Sequence, residues 1–378
     1  MNSSNRFFFL FCFIILSLSA SIPVRSEATQ KQLTFALFAP RTDSFWPKLE
    51  AFMIDACNDL NIHCRVYYSD DNFYKMERQI KDAVTGPDKV DAVLFQNFKQ
   101  QGASFIRLAD QNNVASFLIN APLSNEEYKT IGKPREKYKT WLGEMIPDDQ
   151  YAGYITANKI IDEALLSNKK NIDGKVKLVA INGTASDGAT VEREKGLRKA
   201  LNERKEAHLY QYFTTRNWSK KEAILRYTGA LSRYPDTNAI WAGDDDIALA
   251  IIQTGKNLDL IPGKDFFIAG IDWSEEGIKA VKKGEMTVNV GGHFLEAAWA
   301  TIMLYDYFHG IDFKDEGVHI KSPMYPIDKN NFQDINRLYS ALNNNKINFS
   351  SFSKHLNPKV KHYQFDVGSL LKQINTDN

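Results

Sequence analysis

Aromatic rings and short carboxylates or amides recur at one kind of place in this chain, just past an apolar run. Phe45-Trp46, Asn97, Asn120, Trp218, Asp244 and Asp272-Trp273 each follow such a run, and His293 sits where a strand pattern hands over to a helical one. Rings of this kind stack on the C–H faces of a polyhydroxylated ring, while carboxylates and amides bond its hydroxyls. Apolar walls with a few placed polar groups make a small-molecule pocket. Any one of these rings could simply be core packing, the usual fate of large apolar side chains. Three tryptophan positions at strand-to-helix junctions make a shared cleft the better reading of the set.

Signatures of covalent chemistry are missing. There is no Walker A loop, no Gly-x-Ser-x-Gly elbow, no His-Glu-x-x-His and no Cys-x-x-Cys. Asp244-Asp245-Asp246 could suggest a metal site. Where a strand ends and a helix opens, however, a carboxylate caps free N–H groups and complements the helix dipole, so no metal and no cofactor are expected. The alternative to a binding role is a carbohydrate-active enzyme that uses Asp244 and Asp272 as paired carboxylates in the same cleft.

The elements that must position these residues follow a βα rhythm. Apolar runs begin near Leu33, Cys64, Asp91 and Val114, and again near Val176, Ala207, Asn238 and Phe266. Their spacing of about 25 to 30 residues fits one strand, one helix and two turns. Phe45, Leu49, Phe52, Met53, Ala56 and Leu60 step by three and four, one face of a helix. The strands read as continuous apolar runs, as in parallel sheets covered on both faces. Ligands bind beyond the carboxyl ends of such strands. Residues 120–143 are polar and contain prolines, which predicts an extended loop with one helical turn. The tail to Asn378 is polar and weakly periodic, and is expected to wrap over one lobe.

Length and composition suit two soluble domains: 378 residues, 43% hydrophobic and 25% charged. A net charge of +1 without a Lys/Arg block gives no footprint for nucleic acid. Met1–Arg6 is polar, Phe7–Leu18 is almost wholly apolar, and small residues follow through Ser26. That layout predicts a cleaved secretory signal peptide over residues 1–26, because a membrane span needs about 20 apolar residues. Cys57 and Cys64 would then meet an oxidising compartment. They are either bridged across a chain reversal or two buried thiols, and the sequence leaves both open.

Several segments resemble the periplasmic sugar-binding proteins of the ribose, galactose and quorum-signal type. Thr42-Asp43-Ser44-Phe45-Trp46 is similar to that family's Asn-Pro-Phe-Phe ligand loop, and residues 191–197 (Val-Glu-Arg-Glu-Lys-Gly-Leu) to its Arg-Glu-Arg-x-x-Gly-Phe helix start. Residues 234–245 resemble its His-Pro-Asp-x-x-Ala-Val-Phe-Ala-x-Asn-Asp segment, Ala269–Trp273 its Val-Gly-Phe-Asp-Gly strand end, and residues 147–153 its entry to the second lobe. The resemblance spans about residues 32 to 310.

It implies a type I periplasmic binding protein, an α/β chain with two Rossmann-like parallel-sheet lobes joined by a multi-crossing hinge. The first lobe is expected over 32–143 with a returning segment near 289–320, the second over 144–288, and a tail over 321–378. The implied ligand residues are Phe45, Trp46, Asn120, Arg193, Trp218, Asp244, Asp272, Trp273 and His293. Val191 and Ala121 stand where two family arginines contact the sugar, and Gly292 where a glutamine often does, so Arg193 and His293 are the candidates to take their place. The implied function is non-enzymatic capture of a small neutral, sugar-like ligand in the periplasm. The monomer would present it to a membrane ABC permease or to a membrane-bound sensor.

Overall fold

The computed structural model describes residues 31–167, 174–344 and 346–376; the expected signal peptide lies outside them. The first lobe runs β1 (Thr34–Ala39), α1 (Trp46–Asp59), β2 (His63–Tyr68), α2 (Phe73–Thr85), β3 (Ala92–Phe95), α3 (Gly102–Gln111), β4 (Ala115–Ile119), α4 (Asn125–Ile131) and β5 (Trp141–Pro147). The second runs α5 (Asp149–Leu166), β6 (Val176–Asn182), α6 (Gly188–Glu203), β7 (Ala207–Thr214), α7 (Lys220–Arg233), β8 (Ala239–Ala242), α8 (Asp245–Asn257), β9 (Phe267–Ile271), α9 (Glu275–Lys282) and β10 (Val288–Gly291). After them come α10 (Glu296–Phe308), β11 (His319–Ser322), β12 (Tyr325–Ile327), α11 (Phe332–Asn343) and α12 (Val367–Thr376).

The first sheet has the order β11-β5-β4-β3-β1-β2 and the second β12-β10-β9-β8-β6-β7. All pairings are parallel except β10 with β12. Alternation along β1 shows why its sequence is apolar throughout. Phe35 and Leu37 pack with α1 and α10, while Ala36 and Phe38 pack with α2 and α3. The strand order reverses between β1 and β3 in one sheet and between β6 and β8 in the other. Those switch points open a crevice at the carboxyl ends of the strands, and the two crevices face each other.

Among the described residues, three crossings join the lobes: Pro147 to Asp149, Gly291 to Glu296, and Ser322 to Tyr325. They shift the expected boundaries. β5 stays in the first sheet as far as Pro147, beyond residue 143. Val288–Gly291 pairs with β9 in the second sheet, so the returning segment starts after it, not near 289. The segment over 120–143 is more ordered than its prolines suggested. Ser124 accepts from the Glu127 N–H while Glu127 accepts from the Ser124 N–H, a capping box that starts α4.

The tail also departs from the expectation that it covers one lobe. It supplies an edge strand to each sheet, then packs Ile335, Leu338, Phe349, Phe352 and Leu370 into the core around α1 and α10. Each such side chain contributes about 1.5–3 kcal/mol when fully buried, so the tail is part of the fold. Cys57 near the end of α1 and Cys64 in β2 form a disulfide, with their Cα atoms 6.2 Å apart.

Candidate functional site

The first lobe's wall is the loop after β1. Asp43 accepts hydrogen bonds from the Phe45 N–H (3.1 Å) and the Trp46 N–H (3.4 Å), and its other oxygen accepts from Arg41 Nε (2.7 Å). This carboxylate turns the chain and fixes Phe45 at the cleft. The Phe45 ring stacks on His293 (centroids 4.6 Å apart) and meets Trp46 edge-on at 5.4 Å. Asn120, at the end of β4, holds a left-handed backbone (φ 66°) while its N–H donates to Glu296 (2.8 Å). Glu296 also accepts from Ser322 Oγ, so one buried carboxyl ties the first lobe to the third crossing. Burial pushes that carboxyl well above the ordinary range.

The second lobe's wall is charged. Arg193 of α6 donates to Asp149 (2.7 Å) and to the Gly243 carbonyl (2.8 Å), and its remaining nitrogen lies 3.8 Å from Asp272. The Trp218 ring lies 5.5 Å from this guanidinium, and its indole N–H donates to Asp187 (2.8 Å). Asp244 caps α8 by accepting from the Ile247 N–H (2.7 Å). Asp245 turns inward to Ser274 and Asn289, and Asp246 outward to Lys220 (3.1 Å), so the three neighbours have three separate roles. Asp272 faces His293 Nε2 at 3.3 Å.

Burial governs the titration of these groups. It raises Asp272 to about 7 against the pull of Arg193, and pushes Asp244 well above the ordinary carboxylate range with help from the Asp272 charge. It lowers His293 to about 3, leaving the imidazole neutral. A closed cleft results. Lys48 of α1 crosses to donate to the Asp272 carbonyl (3.2 Å) and the Trp273 carbonyl (2.5 Å), and Gly188 lies so near Pro122 that a Cβ there would sit 2.9 Å from its ring. The space between the two walls is narrow, and part of it is continuous with solvent.

Eight of the nine expected residues gather around this cleft: Phe45, Trp46, Asn120, Arg193, Trp218, Asp244, Asp272 and His293. Trp273 does not, which corrects its expected role. Asp272 and Trp273 adopt successive positive φ angles (114° and 53°), and the tight turn sends the second side chain behind the cleft. There its indole N–H donates to the Asn289 carbonyl (3.1 Å) and its ring packs near Phe294 and Tyr325. Gly291 makes room, since a Cβ would lie 2.5 Å from the indole. Trp46 shows only an edge to the cleft, because it is 1% exposed and belongs to the first lobe's core.

The lining also includes residues that the sequence reading did not assign to the site: Arg41, Asp43, Gln96, Asp187 and Asp246. Arg41 and Asp43 precede the aromatic pair in its loop and could have been found as that loop's polar residues. Asp187 carries no local signal beyond a position just before a helix.

The profile of the periplasmic binding protein domain matches residues 35–308. A putative rhizopine-binding protein of Rhizobium meliloti is 25% identical over 223 residues, 57% of this chain and 68% of that protein. The ribose import binding protein RbsB of Haemophilus influenzae is 26% identical over 147 residues, 38% of this chain, and the match spans less than half of that protein (45%). A crystal structure of a periplasmic sugar-binding protein from Pseudomonas fluorescens superposes with a TM-score of 0.79 at 26% identity, covering 89% of this chain and 99% of that one. Proteins of this kind bind solutes without transforming them, which leaves the paired-carboxylate enzyme reading of Asp244 and Asp272 unsupported. With its two α/β lobes, three crossings and one closed cleft, this chain belongs to the periplasmic binding protein family.

Proposed function

We propose that this chain is exported, loses residues 1–26, and in the periplasm closes its two lobes on a small polyhydroxylated, sugar-like ring. The single observation that carries this reading is the opposition, across one cleft, of aromatic faces and hydrogen-bonding groups from both lobes. Phe45 on one lobe and Trp218 on the other offer faces for C–H groups, while Asn120, Gln96, Asp244 and Asp272 meet hydroxyls. The names of the rhizopine-binding and ribose import relatives support the ligand class. A ligand that touches both lobes stabilises the closed form, and the closed form is what a partner can recognise. That partner is an ABC permease or a membrane-bound sensor, and the binding protein acts as a monomer.

Mass spectrometry of the small molecule released from natively purified protein tests this reading. A polyhydroxylated compound, recovered unchanged after long incubation with fresh protein, is the expected result. A consistently empty cleft that no sugar or polyol stabilises would sink it, and conversion of the compound would revive the enzyme reading. At 100 times its dissociation constant a true ligand adds about 2.7 kcal/mol of stability. Mature protein from the native source should begin between Ser21 and Thr29; an intact Met1 on soluble protein would refute export with cleavage.

A further inference from the structure

The absence of a basic cluster in the sequence argues against an anionic ligand, but only the assembled lining shows the opposite preference. Five carboxylates line the cleft (Asp43, Asp187, Asp244, Asp246 and Asp272) against two guanidinium groups (Arg41 and Arg193), and His293 is neutral. Acidic side chains outnumber basic ones in the lining by three. Lys220, outside the lining, holds Asp246 at 3.1 Å, and Arg41 holds Asp43 at 2.7 Å. Arg193 is engaged with Asp149 at 2.7 Å. Among the described residues, Asp187, Asp244 and Asp272 therefore have no hydrogen-bonded cation.

Asp272 is the most exacting of them. It is only 8% exposed, it faces the cleft, and among the described residues no hydrogen bond reaches its carboxylate. Its nearest charged contact is Arg193 at 3.8 Å. A buried carboxylate left in that condition calls for a partner, and one that arrives with the ligand meets it without cost to the empty protein's packing. The aromatic faces of Phe45 and Trp218 argue against a bare metal ion as that partner, because they give a hydrated ion nothing to stack on. They suit a ring, and they also attract a cation placed over or beside them.

Resting on the proposed ring-binding function, we infer that the ligand is a polyhydroxylated ring bearing a protonated amine, whose ammonium group sits against Asp272 and Asp244. The rise of both carboxyls on burial fits this arrangement, since a bound cation is what would return them to the ionised form. Asn120 and Gln96 are left to bond the hydroxyls, and Phe45 and Trp218 the ring faces.

Isothermal titration at pH 7 with matched pairs tests the inference: amino-deoxy hexoses, pentoses and cyclitols, each against the parent that carries a hydroxyl in place of the amine. In at least one pair the amine should bind at least tenfold tighter, and N-acetylation, which removes the charge, should abolish the gain. Asp272→Asn should erase the amine preference while the parent loses less affinity, with Asp244→Asn as the second variant should the first fail to fold. Equal or tighter binding of the neutral parent in every pair overturns the inference and leaves the ring-binding function standing. Binding of neither member of any pair overturns both.

Discussion

The two walls of the cleft are built from the same βα unit, yet they do different work. The first lobe presents a loop, Arg41 to Trp46, whose one carboxylate is consumed internally in holding Phe45 in place. The second presents helix starts and strand ends; there Arg193 pairs with Asp149, Asp187 accepts from the Trp218 N–H and Asp244 caps a helix, which leaves Asp272 facing the cleft without a hydrogen bond among the described residues. One wall offers chiefly the Phe45 face, and the other adds most of the cleft's carboxylates to the Trp218 face. The difference teaches that a duplicated scaffold need not duplicate its chemistry, because the residues past each strand are free of the packing that constrains the strands themselves.

Variants that act on one wall at a time sharpen this contrast. The largest effect is expected at Arg193, which is 4% exposed and pairs with buried Asp149. Arg193→Leu strands that carboxylate, and urea unfolding should show a loss of about 3–5 kcal/mol. A loss below about 1 kcal/mol would mean the second wall is not electrostatically organised. Asp272→Asn comes next: titration of the identified ligand should show a loss of about 1.5–3 kcal/mol, since a hydrogen bond to a charged acceptor is replaced by one to an amide.

Phe45→Leu should cost about 0.5–1.5 kcal/mol of affinity through lost stacking, with no salt dependence. A salt-dependent loss there would blur the contrast between the walls. Trp46→Ala is a poor substitute for this test, because the indole also fills the core, and truncation of a core Trp costs about 3–5 kcal/mol of stability.

The smallest effect is a slope. The folded protein holds Asp272 and Asp245 at about 7, above the 3.8 of an exposed aspartate, so it binds more protons than the unfolded chain between those values. Their contribution to stability is full below about pH 4 and is lost as pH rises through 7. Thermal melts of Asp272→Asn across this range should show a flatter pH dependence than the parent. An unchanged slope would place the titration elsewhere.

Most of the scaffold was legible in the sequence, because a strand buried on both faces leaves a continuous apolar run and each covering helix keeps its own period. Phe35 to Phe38 is such a case, with alternate residues committed to opposite layers. The cleft was legible where a motif singled out its residues, as at Phe45, Arg193 and Asp272. It was not where orientation decides. Asp272 and Trp273 are neighbours in sequence, and only their two left-handed backbone conformations separate the ligand-facing side chain from the core-facing one. Asp187 was invisible because its importance comes from Trp218 and the facing lobe, not from its neighbours. The tail was underrated for a related reason: Ile347, Phe349 and Phe352 are buried singly, with no period to announce them.

The third crossing constrains how the chain can be made. β11 and β12 close the outer edges of different sheets, and only Pro323 and Met324 lie between them. Before that point emerges in synthesis, β5 is an uncovered edge strand whose free N–H and C=O groups invite wrong pairings, and the second sheet lacks its antiparallel border. The helix that covers α1, α10, also arrives only after the whole second lobe has been made. Neither lobe can therefore finish folding in order of synthesis. A chain cut between residues 292 and 318 therefore leaves both lobes unfinished, each without its edge strand.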